Sequence, residues 1–156
     1  MEVSGPLGSG RTRIGVRFAL QVRAQRQRVA WVDSDHTLYP PSFLGEWPDW
    51  AVVRTCPGSN EQVARLVEQM LRAGCFPLVV VDVPHRMRAR SVGYRWAHAA
   101  EQGGSTGVLL TERPYRGLPV EVRLQVGEGT VSVIKDRERP SVVGRHLPIP
   151  EERGWG

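Results

Sequence analysis

Two periodicities alternate along this chain. From Arg11, apolar side chains at Ile14, Phe18 and Val22 recur every four residues, with Ala19 beside them and arginines on the other face. That spacing predicts an amphipathic helix. Arg28–Asp33 reads as a buried strand ending in acid, and Trp50–Thr55 as a second short strand beyond an irregular Pro- and Trp-rich stretch. Ser59-Asn60-Glu61-Gln62 then opens the clearest helix, where Ser59 can cap and Gln62 can reach back to close a capping box. Its apolar stripe is Val63, Leu66, Val67, Met70 and Leu71, and Gly74 stops it.

Leu78–Val83 is a continuous apolar run, as expected of a central parallel strand covered on both faces. Arg90–Gln102 is helical by pattern, and Gly107–Thr111 is another apolar strand. Val120–Val126 and Thr130–Ile134 alternate in period two around Gly127-Glu128-Gly129, which predicts an antiparallel hairpin. Residues 137–156, rich in Pro, Arg and Gly, show no periodicity and are expected to form an extended or disordered tail beyond a core of residues 1–136. Strand, loop, helix and strand in repeated succession mean an α/β domain with a mostly parallel sheet and helices on both faces.

Composition narrows this only slightly. At 156 residues the chain is one domain by length. No apolar run approaches the ~20 residues that span a bilayer, and no secretory signal is visible, so no membrane role is expected. Cys56 and Cys75 make no disulfide framework, which fits a reducing cytoplasm, and the four histidines lack zinc spacing. The net charge of +5 is almost all arginine, Lys135 being the only lysine. Charge of that sign permits weak contact with nucleic acid without demanding it.

The sharpest chemical signal is Gly5-Pro6-Leu7-Gly8-Ser9-Gly10-Arg11-Thr12. It follows the phosphate-loop pattern G-x-x-x-x-G-K-[ST], with Met1–Val3 as a short strand leading into it. In that pattern glycines let backbone amides curl around phosphates, lysine reaches the β/γ oxygens, and the hydroxyl holds Mg²⁺. Gly5, Gly8, Ser9, Gly10, Arg11 and Thr12 are therefore the candidate nucleotide-binding residues. Arginine stands where lysine belongs, and its planar fork is no conservative replacement for a compact ammonium at a tight phosphate site. Gly5–Ser9 alone also matches a protease-cleavage remnant of recombinant proteins, but Met1–Ser4 precede it and Gly10-Arg11-Thr12 complete the motif without a break. The loop, Asp33, Asp35, Asp82, Thr111 and Glu112 all fall at predicted strand ends, where such sheets place ligands.

Taken in order, the phosphate loop, Val32-Asp33-Ser34-Asp35-His36-Thr37-Leu38, the Ser59 helix start, Val79-Val80-Val81-Asp82, Leu109–Arg113 and Val131–Arg137 resemble the core of the RecA recombinase family from about Glu2 to Pro140. The resemblance implies a three-layer RecA-like core with a C-terminal antiparallel hairpin. It places Asp82 on the Walker-B aspartate that, with Thr12, steadies Mg²⁺. Asp35 falls on the acid that activates water, Glu112 on the glutamine that senses the γ-phosphate, and Lys135 and Arg137 on a lysine pair that reaches a neighbouring subunit. The implied cofactor, where any is bound, is ATP with Mg²⁺. Three departures at once (arginine for lysine, a shortened acid, a carboxylate for the sensing amide) should cripple phosphoryl transfer, which depends on positioning and electrostatics.

Only Val83–Ala89 and Pro114–Pro119 stand where the family carries long DNA-binding loops, and the segment that docks onto a neighbouring subunit has no counterpart. Trp31-Val32, the Ser-x-x-Gln helix and the Val120–Asp136 hairpin also look like the ImuA proteins, truncated RecA relatives that accompany ImuB in translesion synthesis. The expectation is a cytoplasmic, non-recombinogenic accessory protein of the bacterial SOS response, nucleoid-associated at most. Its partners would be RecA and an ImuB-like polymerase subunit. An ATP-binding switch or slow ATPase acting on RecA filaments, and a SulA-like inhibitor of cell division, stand as alternatives. His36, His85 and the arginines Arg86, Arg88, Arg90 and Arg95 read as structural or solvated groups, with phosphate contact the competing role for the arginines. Trp47-Pro48-Asp49-Trp50 reads equally as a partner patch or a core edge.

Overall fold

Among the described residues, a sheet of eight strands runs through the middle of the molecule in the order β3-β2-β4-β5-β1-β6-β7-β8. The computed structural model describes residues 1–34, 36, 38, 50–54, 60–83, 87, 89–115, 117–127 and 129–149. The strands are β1 (Glu2–Ser4), β2 (Val29–Asp33), β3 (Trp50–Arg54), β4 (Leu78–Asp82), β5 (Thr106–Thr111), β6 (Val122–Gly127), β7 (Thr130–Asp136) and β8 (His146–Pro148). The helices are α1 (Arg11–Ala24), α2 (Asn60–Ala73) and α3 (Ala89–Gly103). Strands β3, β2, β4, β5, β1 and β6 pair in parallel, and β6-β7-β8 continue as an antiparallel meander.

Alternation along each strand sorts side chains to two cores. Ala30, Val32, Val79, Val81 and Leu109 point to the α2/α3 layer, whereas Val29, Trp31, Val80, Val108 and Leu110 point to the α1 layer. Strands buried on both faces need continuous apolar runs, which is why β2 and β4 read as they do. Each fully buried valine or leucine contributes about 1.5–3 kcal/mol of transfer free energy. On α2 the inward residues are Val63, Ala64, Val67 and Leu71, with Leu66 and Met70 half-buried along the same stripe. On α1, Ile14, Val16 and Ala19 are buried, and Phe18 and Val22 pack at the margin. Ser59, the expected cap of α2, lies outside the described residues.

This is the expected three-layer α/β core, with the parallel sheet sandwiched and the hairpin antiparallel. The stretch after Asp136 is extended but continues the sheet. Pro140–Val142 form a 3₁₀ turn, and β8 pairs with β7 at Ser132↔His146, Val131↔Leu147 and Thr130↔Pro148. Three residues that include a proline give no legible alternation, so tertiary pairing rather than local pattern makes this strand. The Val133 amide donates to Arg145 O (3.0 Å) and the Ile149 amide to Gly129 O (2.7 Å).

Candidate nucleotide site

Topology brings the carboxyl ends of β1, β2, β4 and β5 to one margin of the sheet, the place where open α/β sheets bind ligands. The Gly5 amide still donates to Thr111 O (2.9 Å), so the loop leaves β1 tethered to β5. It then turns through two glycines of positive φ, Gly8 (79°) and Gly10 (95°), and Gly10 is the N-cap of α1. No side chain caps that helix, which leaves first-turn amides for an anion. A side chain at Gly5 would meet Ser9 Oγ at 2.5 Å and Val126 O at 2.7 Å, so the loop is packed to the backbone. At Gly10 an added Cβ would lie 3.3 Å from Ile149 Cδ1, so the residue that follows β8 sits beside the helix start.

Arg11 does not reach outward. Its Nη1 donates to Gly5 O (2.8 Å), and its Nη2 stands 3.7 Å from Asp82 Oδ1. The two side chains are 8% and 4% exposed, so this is a buried ion pair closing the floor of the loop. Asp82 is the register partner of Asp33 across β2 and β4, and both are buried. Asp33 Oδ1 accepts the Leu38 amide (3.4 Å). Removing one member of such a pair costs about 3–5 kcal/mol, because the other is left charged and dry.

The Mg²⁺ that the resemblance implies does not fit this arrangement. The carboxylate meant for the metal already faces a permanent cation, and a divalent ion there would meet like charge in a poorly solvated place. Among the described residues no cluster of three or more His, Cys, Asp or Glu is placed to hold a metal.

Asp35, His85, Arg86 and Arg88 lie outside the described residues, as do Trp47, Pro48 and Asp49. Thr12 is half-buried in the first turn of α1, and Glu112 is half-buried just past β5. His36 is exposed, with φ 55°. Lys135 donates to Val120 O, and Arg137 Nη1 pairs with Glu121 Oε1 at 2.9 Å. Both line a groove with Tyr94, His98 and Leu118, remote from the loop in sequence. Arg95 is engaged on the helical layer, where its Nη2 meets Glu68 Oε2 at 2.5 Å and its Nη1 meets Glu61 Oε1 at 3.3 Å.

One constellation went unread in the sequence. Glu2 is fully buried in β1 and gathers the segment after β5: its Oε1 accepts Thr111 Oγ1 (3.2 Å) and the Tyr115 amide (2.8 Å). Its Oε2 accepts Arg123 Nε (2.5 Å), and Arg123 Nη2 donates to Tyr115 O (2.9 Å). Leu118 and Val120 of the same segment are buried within the α2/α3 core. Burial, then the charges of Glu2 and Glu112, raise the Tyr115 phenol above its ordinary value. The available signal was a carboxylate inside a strand that is otherwise covered.

The fold and the loop together define a RecA-like α/β core built around a phosphate-loop turn. Over 84 residues the chain is 31% identical to Protein RecA of Bacillus pumilus (strain SAFR-032), and equally to Protein RecA of Listeria welshimeri and of Bacillus licheniformis. The alignment takes in 53% of the chain and 24% of each relative, so the chain spans about a quarter of the length of the curated relatives it matches. This homology over half the chain supports a RecA-like family. No protein-family model matches the chain. Among the described residues no helix is long and apolar enough to cross a membrane.

Proposed function

We propose that this chain is a non-recombinogenic RecA-like accessory protein in bacterial DNA-damage tolerance, of the ImuA kind, that works by docking rather than catalysis. The observation that carries the reading is the segment between β5 and β6. Where a recombinase needs a mobile loop to grip DNA, residues 112–115 and 117–121 are folded down onto the sheet by Glu2, Arg123, Leu118 and Val120. A segment with buried anchors and a satisfied ion pair is not available to wrap a strand. RecA and an ImuB-like polymerase subunit are the proposed partners, with the groove holding Lys135 and Arg137 as the docking face.

Co-sedimentation with RecA filaments on single-stranded DNA, and co-purification with an ImuB-like subunit, test the proposal. Association with either, together with no strand exchange by the chain alone, is the expected outcome. Binding to neither, or strand exchange, overturns it.

A second reading has its own support. The αL glycines at Gly8 and Gly10 and the uncapped α1 keep a phosphate cradle, which favours an ATP-gated switch or slow ATPase acting on RecA filaments. That reading requires Arg11 to swing out, Thr12 and Asp82 to accept Mg²⁺, and Asp35 and Glu112 to act in their water-activating and sensing positions. DNA-stimulated ATP hydrolysis would favour it.

A further inference from the structure

We infer that Arg11 is a built-in counter-cation: its guanidinium holds the place beside Asp82 that the family gives to magnesium, and so shuts the phosphate loop against metal–nucleotide complexes. The inference deepens the docking reading and rests on descent of the Gly5–Thr12 turn from a phosphate loop.

Three observations carry it. The first is the contact itself: one planar fork hydrogen-bonds to Gly5 O through Nη1 at 2.8 Å and ion-pairs with Asp82 Oδ1 across 3.7 Å through Nη2. A lysine carries its three donors on one nitrogen at the end of a flexible stem, and so lacks the rigid planar fork that holds both contacts here. The second is charge. Arg11 brings a full positive charge to the buried Asp82 carboxylate, and a guanidinium keeps its charge where an ammonium can shed a proton. The third is access. The Arg11 side chain is 8% exposed, which removes from the mouth of the loop the only cation that the motif aims at phosphate. A ligand carrying Mg²⁺ would have to break this pair before meeting Asp82.

The full chain is titrated with N-methylanthraniloyl-ATP in Mg²⁺ and in EDTA, as wild type and as Arg11→Lys. Melting curves follow for both proteins and for Asp82→Asn. The wild type should bind the probe no more than about twofold better with Mg²⁺, whereas Arg11→Lys should gain a preference of about tenfold or more. Asp82→Asn should lower the wild-type Tm by about 5 °C or more, since it strands a buried guanidinium. A tenfold Mg²⁺ preference in the wild type overturns the inference, as does a folded Arg11→Lys that behaves like the wild type. An unchanged Tm in Asp82→Asn overturns it too, and that arm stands even where Arg11→Lys does not fold. Loss of RecA and polymerase binding would strike the docking reading alone, because none of these measurements involves a partner.

Discussion

Glu2 is the residue whose role is most out of proportion to its visibility. It is a fully buried carboxylate holding three donors at once: a hydroxyl, a backbone amide and a guanidinium. Glu2→Ala should cost about 3–5 kcal/mol, chiefly because Arg123 keeps its charge in a half-buried place. Glu2→Gln retains acceptor capacity and should cost less. A double-mutant cycle with Arg123→Ala, read by chemical denaturation, checks the coupling; additivity would mean that the pair does not hold the segment down. Gly10 offers a second residue-scale test. Its φ of 95° is left-handed, and a methyl group there would also press on Ile149. Gly10→Ala should therefore destabilise by about 1–2 kcal/mol from backbone strain, seen as a lower denaturation midpoint at unchanged slope.

Among the elements, α2 and α3 are joined across their solvent side by Glu61, Glu68, Arg72 and Arg95. Hydrogen bonds from Arg65 and Arg95 hold Glu61 below the ordinary glutamate value of 4.5, and those from Arg95 do the same for Glu68. A depressed carboxyl pKa in the folded state means that the unfolded chain binds more protons as pH falls. The stabilisation is therefore present above pH 4.5 and is lost as pH drops through the lowered folded values. Glu68→Gln should flatten the acid limb of a Tm-against-pH curve, and high salt should shrink the wild-type effect because these groups face water.

Elements also mark how far sequence reaches. Apolar runs placed β2, β4 and β5, and helical stripes placed α1 and α2, because those patterns are local consequences of burial on one or two faces. Strand β8 left no such trace, since its three residues are held by β7 rather than by their own alternation. The same limit applies at the site. The motif identified Gly5–Thr12, but the inward turn of Arg11 depends on Asp82, some seventy positions away, and no spacing rule reports it. Glu2 drew no attention for a similar reason: its partners arrive from 109 to 121 residues downstream.

For the molecule as a whole, residues 137–149 belong to the fold. Val131 pairs with Leu147 of β8, and Ile149 packs into the α1-side core beside Gly10. Ending the chain at Asp136 should lower Tm and speed hydrogen exchange at the Val131 and Val133 amides; an unchanged Tm would show that residues 137–149 contribute nothing. The net charge of +5 should give DNA binding that fades steeply as salt rises and shows no sequence preference.

The closing strand has a consequence for assembly. Along β8 the amides of odd-numbered residues turn toward β7, so His146 and Pro148 face outward, and proline has no hydrogen to offer. Among its described residues β8 therefore presents a single outward donor, too few for a foreign strand to zip alongside. A foreign strand meets at β8 an edge blunted by its proline, which guards this side of the sheet against growth strand by strand.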